Sequence, residues 1–212
     1  MSANLTLAVK SIKSIDDSTE WGSDAPYVLV TAANLKALPP QVEVTLYGPW
    51  SDVDKGETHG TLVLPEGTPK AVADVFAATN VMRQPFWGLD NKTAMEIHSP
   101  NDVAFIVSVM ERDDGKPGAL RTMVKLAAVG SLAGSMGMSR ATRVQKMIAD
   151  IKGVIKTPTG APNFDDVVGT HELTLTATDL ERPASGTRVK KLNFSGGDEG
   201  TFEVAFELKY AS

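Results

Sequence analysis

Cysteine is absent from this 212-residue chain, which excludes disulfides, zinc–thiolate sites and cysteine nucleophiles. A clustered basic face is missing too. Lys and Arg (21) are outnumbered by Asp and Glu (26), the formal net charge is -5, and the cationic residues are scattered. Tracking along phosphates needs a basic stripe, so nucleic acid is not an expected partner. No apolar run approaches the roughly 20 residues that cross a bilayer. The opening segment, Met1 to Lys10, has neither a basic start nor an apolar core, so a signal peptide is not expected. The default expectation is a soluble, cytoplasmic protein, with export by a non-classical route as the other option.

What the chain does contain is a succession of strand patterns. Leu5, Leu7 and Val9 alternate with polar neighbours and Ile12 and Ile15 then change phase, which predicts a strand with a bulge near Lys10. Tyr27 to Thr31 reads as a buried β-branched strand, and Val42 to Tyr47 as a strand with clean alternation. Gly48 to Gly60 reads as a polar loop, followed by a short strand over 61–64. Ala94 to Ile97 and Val103 to Val109 read as strands, the second central and buried. Over 69–79 the period changes: Pro69 suits a first helical turn and Val72, Val75 and Phe76 share a face, predicting one short helix.

From Pro117 to Lys156 the pattern is helical. Leu120, Met123, Val124, Ala127 and Ala128 mark a first helix. Ser139 is placed to cap a second, in which Val144, Met147, Ile148, Ile151, Val154 and Ile155 recur at three-four spacing until Pro158 stops it. Strands are expected again at 171–177 and 201–210. A helical pair flanked by strands on both sides reads as an insertion in a β-domain. The expected fold class is therefore mainly β: an antiparallel sandwich over residues 1–212 as one domain, with a helical hairpin inserted at about 117–157 and one short additional helix.

Acidic turns adjoin several of these strands. Asp17 and Asp24 precede the Tyr27 strand, Glu111 and Asp113 follow the Val103 strand, and Asp166 precedes Val167-Val168-Gly169. Carboxylates at the ends of several strands can converge on one rim of a sheet. They repel one another unless a cation or protons neutralise them, and calcium suits such a rim because it takes about six to eight oxygen ligands. Asp17, Asp24, Glu111, Asp113 and Asp166 are thus the candidate metal ligands, with calcium the candidate cofactor. The alternative is that Asp serves these turns structurally, bending the backbone through its own side chain. A weaker candidate is Asp52-Val53-Asp54-Lys55-Gly56-Glu57, where Asp52, Asp54 and Glu57 have the spacing of a calcium-loop fragment. The full EF-hand pattern is missing, and an exposed turn is the stronger reading there.

Three segments carry a resemblance to a known family. Gly22-Ser23-Asp24-Ala25-Pro26-Tyr27-Val28, Val109-Met110-Glu111-Arg112-Asp113 and Asp166-Val167-Val168-Gly169 resemble, in order, a Ser-Asp-Pro-Tyr-Val segment, a Val-x-Asp-x-Asp turn and an Asp-x-Ile-Gly segment of the C2 domain. Pro85-Phe86-Trp87, before Met95-Glu96-Ile97, is similar to that family's Pro-x-Trp approach to a central strand, and the ending, Leu173 to Leu180, Val189-Lys190-Lys191-Leu192 and Gly200 to Tyr210, fits the same family. The resemblance implies a calcium-dependent lipid-binding β-sandwich. It covers both ends of the chain and part of the middle, but not the helices. The chain departs from the pattern in three ways: Ala25 is inserted, Glu111 stands where Asp is usual, and about fifty residues separate Asp113 from Asp166.

Other chemistry finds little support. His59, His98 and His171 are isolated in sequence, no Gly-x-Ser-x-Gly elbow occurs, and the Gly130, Gly134, Gly137 series has no P-loop lysine. Paired carboxylates do not specify acid–base chemistry without geometry, so the reading leans away from an enzyme. The small-residue stretch Leu126 to Met138 could dip into a membrane, but is better explained by close helix packing. The leading function is calcium-assisted binding to a membrane or to another anionic or protein surface. The alternatives are a secreted effector or toxin whose helical insert engages membranes, and a metal-dependent hydrolase.

Overall fold

The computed structural model describes residues 2–16, 24–61, 95–113, 115–156 and 165–211. The first strands are β1 (Ala3–Asp16), β2 (Pro26–Asn34), β3 (Gln41–Tyr47), β4 (Thr58–Gly60), β5 (Met95–Ile97) and β6 (Val103–Glu111). Helices α1 (Pro117–Gly134) and α2 (Arg140–Ile155) follow, then strands β7 (Asp166–Glu172), β8 (Thr187–Ser195) and β9 (Thr201–Tyr210). One sheet runs β4-β1-β9-β8, with β5 also paired to β1, and the other runs β3-β2-β6-β7. The pairings are antiparallel throughout. This is the sandwich with a helical insertion that the strand and helix patterns predict. The phase change in β1 is a register shift between Val9 and Ser11, where the bulge near Lys10 is expected.

Two apolar layers hold the molecule together. Between the sheets, Leu5, Leu7, Val9 and Ile12 of β1 meet Val28, Val30 and Ala32 of β2 and Phe105, Val107 and Val109 of β6. Phe202, Val204, Phe206 and Leu208 of β9 complete this layer. The intervening residues of β2 and β6, including Tyr27, Leu29, Ala33, Ala104, Ile106 and Met110, face a second layer built with the helices. There Leu120, Val124, Ala128 and Leu132 of α1 pack with Val144, Met147, Ile151 and Ile155 of α2. Side chains alternate across a strand, so β2 and β6 are buried on both faces because each face has its own cover. That explains their near-continuous apolar runs.

Polar contacts fix the hairpin on the sheet. The Ser139 hydroxyl accepts from the Thr142 N–H at 3.2 Å, capping α2. Arg143 Nη1 donates to the Leu35 carbonyl at 2.8 Å and Arg140 Nη2 to the Val103 carbonyl at 3.0 Å. Arg140 also pairs with Glu172, and Lys125 of α1 with Glu43 of β3.

Three local expectations are corrected. The expected strand over 171–177 is instead β7, which starts at Asp166 and ends at Glu172; Leu173 and Leu175 are buried beyond its end, and Ala177–Leu180 is a 3-10 turn. The periodicity does not mark strand β8, which contains the Val189 to Leu192 part of the C2-like ending. Within the expected loop 48–60, Thr58–Gly60 pairs with Ser11, Ile12 and Lys13 as β4. The short helix expected over 69–79, and positions 62–64 of the expected short strand, lie outside the described residues.

Candidate metal centre

Register brings the acidic segments together. Pro26 of β2 lies opposite Glu111 of β6, and Glu111 lies opposite Asp166 of β7. Two strands therefore begin, and the strand between them ends, on one rung. Asp113 follows Glu111 by two residues. One carboxylate oxygen from each of Glu111, Asp113 and Asp166 lies within 4.8 Å of the other two.

The loops around this group are held by backbone and side-chain hydrogen bonds. Glu111 is buried, and its Oε1 accepts from the Ala25 N–H at 3.0 Å, while the Arg112 N–H donates to the Ala25 carbonyl at 3.2 Å. A fourth carboxylate, Asp165, organises the other side. Its Oδ1 accepts from the N–H groups of Gly115 at 2.9 Å and Asp113 at 3.2 Å, and its Oδ2 from the Tyr27 hydroxyl at 2.7 Å. Burial, followed by the hydrogen bond to Asp165, pushes the Tyr27 phenol well above its ordinary pKa, so it remains a donor. Gly115 leaves the space that Asp165 fills: a Cβ there would overlap the Asp165 carboxylate.

Of the five leading candidates, Glu111, Asp113 and Asp166 form this group. Asp24 is buried nearby at the β2 approach, where its carbonyl accepts from the Val53 N–H at 3.1 Å, but it is not one of the grouped carboxylates. Asp17 lies outside the described residues. The weaker set Asp52, Asp54 and Glu57 forms no comparable group among the described residues. Glu57 instead closes a local turn, with its Oε2 3.3 Å from the Asp54 N–H and 3.1 Å from His59 Nε2. Those contacts, His59 first, hold the Glu57 carboxyl below the usual carboxylate range. Asp165, overlooked in the sequence beside Asp166, is recognisable only from the separate segments that donate to it.

Chemically, the group offers a hard cation three carboxylates on one edge. Calcium would need further oxygens from second carboxylate atoms, backbone carbonyls or water to reach its usual coordination of about six to eight. The residue types fit calcium or magnesium better than a softer metal, since among the described residues no imidazole joins them and the chain has no cysteine. Among the described residues, no helix is long and apolar enough to cross a membrane.

No family model and no curated protein matches the chain. Among solved structures, it is similar to human GIVD cytosolic phospholipase A2 in complex with methyl gamma-linolenyl fluorophosphonate, with a TM-score of 0.39 and 9% identity. That alignment covers 99% of this chain and 17% of the phospholipase chain. A likeness at this level assigns neither family nor function.

Proposed function

We propose that the protein, taken as one domain over 1–212, is a calcium-assisted binding module for an anionic surface, with a phospholipid membrane as the leading partner. The observation that carries this reading is the meeting of Glu111, Asp113 and Asp166 within 4.8 Å at the ends of β6 and β7. Asp113 and Asp166 are only half-buried, so an ion held there would stay within reach of a partner's anionic groups. The protein carboxylates would hold one side of the cation and the partner's phosphate oxygens the other. The β-sandwich accords with the C2-domain resemblance of the sequence. Burial of Val144, Met147, Ile151 and Ile155 in the core weighs against the effector alternative, because those side chains would have to leave the sheet to meet a membrane.

Calorimetry with calcium, paired with melting curves in calcium and in chelator, tests the metal. A ligand that binds only the folded state raises the melting temperature by mass action. We expect heat and stabilisation from calcium at millimolar concentrations, both lost in Asp113→Asn/Asp166→Asn. Absence of both in the unmodified protein would assign the acidic turns to structure alone. Sedimentation with phosphatidylserine-containing vesicles tests the partner, and pelleting that ignores chelator would refute the calcium-assisted mechanism.

A further inference from the structure

Two depressions adjoin the acidic rim and share Lys156 and Val167. The first, about 380 Å³, is bounded by Lys156, Asp165, Asp166 and Glu199 among others. The second, about 300 Å³, continues past Lys152, Thr170, His171 and Ser195. Together they form a groove along β7, which is an edge strand of its sheet, so one row of its backbone groups points away from β6. The end of α2 makes one wall and the β8–β9 turn the other. Gly196 allows that turn its position: a Cβ there would lie 2.8 Å from Glu199 Cβ and 3.0 Å from Val168 Cα.

The charge along the groove is divided. Lys152 and Lys156 are four residues apart, hence on one side of the helix end, and both are exposed. Lys36, Lys55, Lys125, Lys146, Lys190 and Lys191 each pair with a carboxylate. Among the described residues, Lys152 and Lys156 make no ion pair, and neither do Lys10, Lys13, Lys116 and Lys209, but of these only Lys152 and Lys156 line the groove. Their charge also complements the negative end of the helix dipole, but that effect requires no groove. Beside them stand the imidazole of His171 and the hydroxyl of Ser195, which is 3.1 Å from Thr201 Oγ1.

We propose that this groove is a phosphate subsite, in which Lys152 and Lys156, with Ser195 and His171 beside them, hold a phosphate monoester next to the acidic rim. This deepens the proposed function and rests on it only for the link to calcium. A phosphate has enough oxygens to accept from both ammonium groups and still present one to a neighbouring cation. Without a cation, Asp165, Asp166 and Glu199 oppose the anion. With calcium on Glu111, Asp113 and Asp166, the same end attracts it. Coupling between the two ligands is reciprocal, so each tightens the other's binding by the same factor.

Glycerol phosphate is the soluble probe, and phosphatidylcholine vesicles with and without phosphatidic acid are the lipid probe. We expect glycerol phosphate to bind weakly in chelator and about tenfold more tightly in calcium, within the usual range of coupling between sites. Lys152→Gln/Lys156→Gln should abolish that binding while leaving the calcium titration unchanged and the protein folded, with only the small fall in melting temperature that loss of the helix-dipole contact implies. Phosphate binding unaffected by the double variant would overturn the subsite even if calcium binds normally. Lysine-dependent phosphate binding without any calcium response would support the subsite while refuting the metal reading. Glycerol phosphate binding together with phosphatidic-acid-dependent pelleting identifies a lipid headgroup as the source; binding without pelleting identifies a soluble phosphate ester.

Discussion

The Tyr27 hydroxyl donates to Asp165 Oδ2 at 2.7 Å across 138 positions of sequence. This bond ties the start of strand β2 to the residue immediately before β7. Removing it in Tyr27→Phe leaves the Asp165 carboxylate with its backbone donors from Asp113 and Gly115 but without the phenol. A hydrogen bond to a charged group contributes about 1.5–3 kcal/mol. Urea unfolding should show a loss of that order, with an unchanged denaturant slope. A loss below about 0.5 kcal/mol, the ordinary scatter for surface changes, would mean that the pair does not hold the start of β2 to Asp165.

Two glycines close together should respond oppositely to alanine. At Gly115 the new methyl would displace the Asp165 carboxylate from its donors, whereas at Gly118, in the first turn of α1, it would meet nothing within 4 Å. Gly118→Ala should be neutral or stabilising by up to about 1 kcal/mol, through helix propensity and a less flexible unfolded chain. Gly115→Ala should cost about 1–3 kcal/mol, as overpacking does, and should weaken calcium binding. Equal melting temperatures for the two variants would contradict this account of Gly115.

The helical layer allows a similar contrast. Ile151 is fully buried in α2, whereas Leu126 of α1 is 68% exposed. Ile151→Ala should cost about 2–5 kcal/mol through lost burial and a residual cavity. Leu126→Ala should stay within about 0.5 kcal/mol of the unmodified protein. Chemical denaturation of both variants checks the claim, and a stability unaffected by Ile151→Ala would mean that the hairpin is not part of the core.

Much of this arrangement was legible from residue patterns. Ser139 and the three-four spacing from Val144 to Ile155 identify α2 because a cap and an apolar stripe are local signals. The β1 bulge also shows, since an inserted residue shifts alternation in place. Periodicity does not mark strand β8, because Val189 is exposed, Leu192 is partly buried and Phe194 is buried, so the apolar signal is confined to one end; only the resemblance of the chain's ending points to Val189 to Leu192. The boundary of β7 was misplaced because Leu173 and Leu175 are buried without extending the strand, so periodicity counted them as strand. Glu111, Asp113 and Asp166 stand out as acidic turn residues, but their grouping depends on register across β2, β6 and β7. The role of Asp165 depends on donors from Tyr27, Asp113 and Gly115, and no local window contains them.

Asp179 provides a pH test away from the rim. Burial disfavours its charged form, but the Lys190 ammonium at 2.6 Å and the Thr176 N–H and hydroxyl at 2.8 and 2.9 Å outweigh it. The carboxyl is held below the usual range, so its folded pKa is lower than its unfolded one. Its stabilising contribution is therefore present above the unfolded pKa, about 4, and is lost as pH falls through the folded value. The stability gap between the unmodified protein and Asp179→Asn should be constant from neutral pH down to about 5 and close below that. A gap that widens on acidification would contradict the ion pair.

The double burial of β2 and β6 has a consequence for how an ion would be received. Amides in strands covered on both faces open only with the largest unfolding fluctuations, so the central amides of these two strands should be among the last to exchange with deuterated water. Glu111 closes one of these strands, and Pro26 opens the other directly opposite it. Glu111 is thus anchored to the end of a doubly covered strand, and a cation held there would have little backbone left to order at that ligand. A ligand held in this way costs less conformational entropy on binding, so under the proposed calcium reading Glu111 would be set before an ion arrives.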